Sequence, residues 1–131
     1  MARILVFEDD RTSMVILLGC LAKAGHEVQV MQDGSAVTKS VRDFQPDLVI
    51  TDIMMPGMTG GGVYQAIRQE FGPNLPIIVS SATSLHISRS GDPLLAYCPK
   101  PLEPDRLLET IQNLITAKPD RSDPPPGGEK P

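Results

Sequence analysis

A small set of carboxylate, hydroxyl and amine side chains stands at the ends of short apolar segments of this sequence. In chain order the set is Glu8, Asp9, Asp52, Ser81 and Lys100. Strands buried in a parallel sheet read as continuous apolar runs, and open α/β sheets bind ligands outside the carboxyl ends of their strands. We therefore expect these side chains to meet at one edge of a sheet, although they are far apart in the chain.

The three carboxylates of this set predict a cation site. Glu8, Asp9 and Asp52 would repel one another in a shared pocket, and each would have a raised pKa unless a cation compensated the charge. Ligands that are all oxygen atoms suit Mg²⁺ better than zinc. Lys100 lies between two prolines and would bring a fixed positive charge to the same pocket.

A carboxylate beside a metal ion and a lysine can act as a nucleophile. We expect Asp52 to attack a phosphoryl donor and to form an aspartyl phosphate. The metal and Lys100 would offset charge on the transferred group, and the Ser81 hydroxyl would bond one of its oxygens. Ser80 is the alternative hydroxyl, but the polarity of the strand favours Ser81.

The elements that would position these residues alternate along the chain. Strands are predicted at residues 4–7, 26–31, 48–50, 77–80 and 97–98, and helices at 14–24, 35–44, 61–71 and from Pro104 onward. Asp10 is expected to cap the first helix. This alternation predicts an α/β fold with a five-stranded parallel sheet covered on both faces. A further helix is expected within 83–95, and serines, Gly91 and Pro93 should leave it short or distorted.

Composition sets the class of protein. A net charge of −4 argues against direct binding to nucleic acid. The first apolar run is too short for a signal peptide, and no segment approaches the ~20 apolar residues of a membrane helix, so a cytoplasmic protein is expected.

Cys20 and Cys98 have no CxxC spacing and are expected to be free thiols. His26 and His86 are expected at the surface. We predict one folded domain over 1–117 and a disordered tail rich in proline and glycine over 118–131.

Four motifs make residues 2–117 similar to the receiver domains of bacterial two-component response regulators. They read E-D-D, P-D-L-V-I-T-D-I-M-M-P-G-M-T-G, P-I-I-V-S-S-A and Y-C-P-K-P. The resemblance implies a flavodoxin-like, doubly wound sheet of order 2-1-3-4-5. It also implies that Asp52 is the phosphoacceptor and that Mg²⁺ is bound by Asp9, Asp52 and the backbone carbonyl of Met54, with Glu8 in or beside the metal shell.

The same resemblance assigns the remaining site residues and the partners. Ser81 and Tyr97 match the family's switch residues, and Lys100 matches its lysine. The implied function is a phosphorelay switch that accepts phosphate from a sensor histidine kinase or a histidine phosphotransfer protein and acts on a downstream protein that the sequence does not name. We expect a stand-alone receiver that is not an enzyme beyond its own phosphorylation and dephosphorylation.

Three other functions are weighed against this one. A pseudo-receiver would keep the fold as an interaction module without phosphorylation, but it usually lacks one or more of the acidic, hydroxyl and lysine residues. A phosphohydrolase would need an aspartate where Met54 stands, and a nucleotide binder would need a glycine-rich loop in place of E-D-D. The stretch between Ser81 and Lys100 is shorter than is usual in the family. A homodimer is left open, because the face that it would use is the irregular one.

Overall fold

The five predicted strands build one parallel sheet, and the described part of the chain has four helices between or after them. The computed structural model describes residues 2–32, 36–52, 60–81 and 92–117. Its elements are β1 (Arg3–Phe7), α1 (Arg11–Lys23), β2 (Glu27–Met31), α2 (Val37–Phe44), β3 (Leu48–Asp52), α3 (Gly60–Phe71), β4 (Ile77–Ser81), β5 (Leu95–Pro99) and α4 (Pro104–Ala117). The strand order is 2-1-3-4-5 and every pairing is parallel, which confirms the predicted fold.

Helix α1 begins three residues earlier than its apolar pattern predicted. Asp10 caps it: its Oδ2 accepts a hydrogen bond from the backbone N–H of Ser13 at 2.9 Å, which satisfies one of the free amides of the first turn. The polar residues 11–13 therefore belong to the helix. The predicted cap is confirmed, whereas most of the helix expected within 83–95 and the tail 118–131 lie outside the described residues.

Two apolar layers enclose the sheet, one on each face. Helices α1 and α4 cover one face with Leu17, Leu21, Leu107, Ile111 and Leu114. Helices α2 and α3 cover the other with Val37, Val41, Phe44, Val63 and Ile67. The side chains of β1 alternate between the layers, with Ile4 and Val6 in the first and Leu5 and Phe7 in the second. This alternation fixes the register of β1.

Among the described residues, no helix has the length and apolarity required to span a bilayer.

Both cysteines are free, as predicted. Cys98 is buried on β5, and burial raises the pKa of its thiol. Cys20 is only partly buried on α1. His26 is likewise half-buried, where its Nδ1 accepts a hydrogen bond from the backbone N–H of Ala2 at 3.0 Å.

A polar cluster of Tyr64, Arg68 and Asp92, here called the Asp92 cluster, ties α3 to the chain that enters β5. The Tyr64 hydroxyl and the Arg68 Nε both donate to Asp92 Oδ2, at 2.6 and 2.9 Å. The backbone N–H of Leu94 donates to the other carboxylate oxygen at 2.9 Å. Burial alone would raise the pKa of Asp92, but these hydrogen bonds outweigh it and hold the pKa below its ordinary range.

Substitution of Asp92 by asparagine is expected to lower the free energy of unfolding by about 1–3 kcal/mol at pH 7, because partly buried donors lose a charged acceptor. A lowered pKa means that the carboxylate stabilises the fold above the ordinary aspartate pKa of about 3.9 and ceases to do so as the pH falls through the folded value. The difference between wild type and Asp92→Asn should therefore shrink in acid. Urea denaturation at several pH values measures it.

Asp43→Asn is the matched control for this substitution. Asp43 pairs with Lys39 across one turn of α2, and both side chains are exposed. Such a surface pair contributes only about 0.3–0.5 kcal/mol. Equal effects of the two substitutions would contradict the structural role of the Asp92 cluster.

Candidate acidic phosphoacceptor site

The carboxyl ends of three strands bring the predicted acids and the lysine together. Glu8 and Asp9 follow β1, Asp52 is the last residue of β3, and Lys100 follows β5. Because all strands are parallel, these ends lie at the same edge of the sheet. Residues separated by up to 92 positions in sequence are thereby placed in hydrogen-bonding contact.

Lys100 bridges the two less exposed carboxylates. Its Nζ lies 3.0 Å from Glu8 Oε1, 3.1 Å from Glu8 Oε2 and 3.1 Å from Asp52 Oδ2. Glu8 is 1% exposed, whereas Asp52 and Lys100 are each 12% exposed. The ammonium group therefore neutralises a largely buried pair, in which Asp52 is the more exposed carboxylate.

For both Glu8 and Lys100, burial and ion pairing shift the pKa in opposite directions. Burial raises the pKa of Glu8 above its ordinary range, although the hydrogen bonds from Lys100 and from the backbone of Asp10 oppose the shift. Burial would lower the pKa of Lys100, but its hydrogen bonds to Glu8 and Asp52 outweigh burial and raise it. Lys100 is consequently a permanent cation at neutral pH.

The acidic residues form a group that suits a hard cation. One oxygen from each of Glu8, Asp9 and Asp52 lies within 4.8 Å of the other two. Asp9 is exposed, whereas the Asp52 side chain is only 12% exposed, so that Asp9 is the carboxylate most accessible to a hydrated ion. All-oxygen ligands with room for water match the preference of Mg²⁺. Asp10 is not in this group, because its carboxylate caps α1.

The structure describes Ser81, Met54 and Tyr97 to different extents. Ser81 ends β4, where its backbone pairs with Pro99, but its side chain lies outside the described part of the protein. Met54 lies outside it altogether. Tyr97 is half-buried on β5 and pairs in register with Val79. The roles assigned to these three residues stay predictions.

The structure also shows a residue that the sequence analysis treated only as an alternative. Ser80 is fully buried, pairs in register with Asp52, and its hydroxyl has no hydrogen-bond partner among the described residues. A serine within the otherwise apolar run of β4 was the available signal. Its meaning depends on the strand register, which the sequence does not supply.

A doubly wound sheet with an acidic, lysine-bridged pocket at its carboxyl edge defines a class of signalling domains, and the comparisons give the family. The chain matches the response regulator receiver domain over residues 4–112 and belongs to that family. It is 34% identical over 121 residues to the DNA-binding transcriptional regulator NtrC of Azospirillum brasilense, covering 88% of this chain and 24% of that protein.

A second relative and two solved structures support the same assignment. The DNA-binding response regulator MtrA of Mycolicibacterium smegmatis is 33% identical over 116 residues, which is 84% of this chain and 49% of MtrA. The chain thus spans about a quarter to a half of the length of these relatives. The chemotaxis response regulator CheY4 of Vibrio cholerae is 26% identical with a TM-score of 0.75, over 87% of this chain and 98% of CheY4.

The other solved structure is the receiver domain of the sensor histidine kinase PA1611 from Pseudomonas aeruginosa, with a magnesium ion coordinated in its active site cleft. It is 25% identical to this chain with a TM-score of 0.77, over 88% of this chain and 98% of that domain. The predicted resemblance to receiver domains is confirmed by these matches and by the family assignment.

Proposed function

We propose that this protein is a phosphoacceptor switch of a two-component phosphorelay, with Asp52 as the acceptor. The observation that carries the proposal is the contact of Lys100 Nζ with Asp52 Oδ2 at 3.1 Å, in a pocket shared with Glu8 and Asp9. A lone surface aspartate is a poor nucleophile toward a phosphoryl anion because the two charges repel. Here a fixed cation stands beside the attacking carboxylate.

The reaction follows from the positions of the chain's own groups. An oxygen of the Asp52 carboxylate attacks phosphorus, the bond between phosphorus and the donor breaks, and the leaving group keeps the electron pair. Lys100 is held beside the reacting oxygen by Glu8, whose carboxylate accepts from the same ammonium group. Lys100 can then stabilise negative charge on the transferred phosphoryl group.

The acidic group would hold Mg²⁺ through Asp9 and Asp52, with Glu8 in or beside its shell. The three oxygen atoms are close enough for a single cation, and the exposure of Asp9 leaves room for water. Bound Mg²⁺ would supply positive charge that offsets the repulsion between the carboxylates and the incoming phosphoryl group. Lys100 neutralises only part of the carboxylate charge, which leaves a net negative pocket for the ion.

We further propose that the donor is a phosphohistidine of a sensor kinase or a phosphotransfer protein, and that the phosphorylated chain acts by protein contact. Membership of the receiver family supports this assignment of partners. NtrC and MtrA are named as DNA-binding regulators, whereas the net charge of this chain is −4. The expectation of a stand-alone receiver stays a prediction.

The test is the intact mass of the purified protein after incubation with acetyl phosphate. One phosphoryl adduct is expected with Mg²⁺, and little or none after the metal is removed with EDTA. A protein that folds normally but gives no adduct with Mg²⁺ would support the alternative function, a pseudo-receiver that acts as an interaction module.

A further inference from the structure

Ser80 carries a hydroxyl that the resting site leaves without a partner. Its residue is 0% exposed, and its Oγ makes no hydrogen bond within the described part of the chain. A buried polar group without a hydrogen-bond partner lowers the stability of the fold. An apolar residue would fill the same position in β4 without that penalty, as Ile77 and Ile78 do earlier in the strand.

The strand register places this hydroxyl beside the proposed acceptor. Ser80 is the direct partner of Asp52 on one side and of Cys98 on the other. Residues two positions earlier, Ile50 in β3 and Ile78 in β4, belong to the same apolar layer, which also contains Cys98. Since side chains alternate along a strand, Ser80 and Asp52 share one face of the sheet.

Among the described residues, Asp52 contacts Lys100 and the Ser80 hydroxyl has no hydrogen-bond partner. The Asp52 side chain is held toward Lys100 through Oδ2. Phosphorylation through Oδ2 converts that oxygen into the bridging oxygen of an acyl phosphate, which is a weak acceptor, and places the negative charge on the phosphoryl group. The contact of Oδ2 with Lys100 is weakened at that step, and the Asp52 side chain can change position.

We propose that Ser80 is a positioning residue for Asp52 that acts in the loss of the phosphoryl group; the inference rests on the proposed function. In hydrolysis, water attacks phosphorus, the bond from phosphorus to the Asp52 oxygen breaks, and Asp52 recovers its electron pair and charge as inorganic phosphate leaves. The Ser80 hydroxyl donates to the carboxylate as that charge develops. Ser80 thereby makes Asp52 a better leaving group and shortens the life of the adduct.

The experiment compares wild type with Ser80→Ala and Ser80→Thr. Each protein is phosphorylated with acetyl phosphate and Mg²⁺ and freed of the donor by rapid desalting, and the decay of the adduct is followed by intact mass. The half-life in Ser80→Ala should be about 3- to 10-fold longer than in wild type, since a hydrogen bond to a developing charge is lost. Ser80→Thr keeps the hydroxyl and should restore a half-life near that of wild type.

Thermal melting of the unphosphorylated proteins separates this role from a structural one. Ser80→Ala should melt at the wild-type temperature or above it, because it removes a buried group without a partner. A clearly lower melting temperature would show that the hydroxyl is already bonded at rest and would overturn the inference. Equal half-lives in wild type and Ser80→Ala, or a long half-life in Ser80→Thr, would overturn it too. Absence of an adduct in wild type would instead remove the proposed function itself.

Discussion

Asp52→Asn is expected to abolish phosphorylation by acetyl phosphate in the presence of Mg²⁺. The amide is close in size to the carboxylate but is a far weaker nucleophile, and it removes one of the three acidic groups that would hold the metal. The adduct seen by intact mass in wild type should fall below detection. The fold should persist, since removal of one of several clustered like charges relieves repulsion.

Asp105→Asn is the control for this loss. Asp105 is an exposed carboxylate in the first turn of α4 and is not a member of the acidic group, so its substitution should leave the adduct unchanged. The acceptor assignment would be wrong if Asp52→Asn still gave an adduct of the same yield. Asp9 would then be the first alternative, because its exposed carboxylate shares the pocket.

Lys100→Met is expected to be the most destabilising of the site substitutions in the absence of Mg²⁺. It leaves the carboxylate of Glu8 buried without its cation, and removal of one partner from a buried pair costs about 3–5 kcal/mol. The partial exposure of Asp52 and Lys100 places the expected loss near the lower end, about 3 kcal/mol. Phosphorylation should slow by about 10²-fold, since a cation beside the transferred group is lost.

The pH dependence of this loss has a definite sign. Burial already raises the pKa of Glu8 above its ordinary range, and removal of Lys100 takes away a group that lowers it. Glu8 in the variant should therefore take up a proton as the pH falls, which ends the penalty of an uncompensated charge. Urea denaturation in EDTA should show the full deficit at pH 7.5 and a smaller one as Glu8 becomes neutral.

Two control variants test whether the stability loss in Lys100→Met comes from the buried ion pair. Lys39→Met removes a lysine from an exposed pair with Asp43 and should change stability by less than about 0.5 kcal/mol. Adding Glu8→Gln to Lys100→Met should recover much of the lost stability, because the buried charge is then gone. If Lys100→Met were as stable as wild type at neutral pH, the bridging ion pair would not hold the pocket together.

Features that depend on local pattern were predictable from the sequence. The buried runs at 4–7 and 48–50 indicated central strands of a parallel sheet, and the acids that follow them were expected to share an edge, as Glu8, Asp9 and Asp52 do. Capping of α1 by Asp10 was expected because a short acidic side chain directly precedes the first helical turn. Each inference needed only alternation, strand polarity and capping chemistry.

Features that depend on contacts between distant elements were not predictable in this way. Nothing in the residues around Asp92 shows that Tyr64 and Arg68 converge on it, because the contact requires α3 to lie against the entry of β5. The lack of a hydrogen-bond partner for Ser80 among the described residues is likewise a property of packing, since its neighbours are set by the register of β3, β4 and β5. The bridging position of Lys100 also became visible only in three dimensions.

Strand β5 lies at the edge of the sheet, between the Asp92 cluster and the carboxylates that contact Lys100. Among the strands that the structure describes, β5 is hydrogen-bonded to β4 alone, so one side of it has unpaired backbone groups within the sheet. Before the strand, Asp92 is hydrogen-bonded to Arg68 of α3. After the strand, Lys100 is ion-paired with Glu8 and Asp52. A change of charge in the acidic pocket thus alters one of the two charged contacts that hold β5 in place. The pocket's chemistry is thereby coupled to how firmly that margin of the domain is attached.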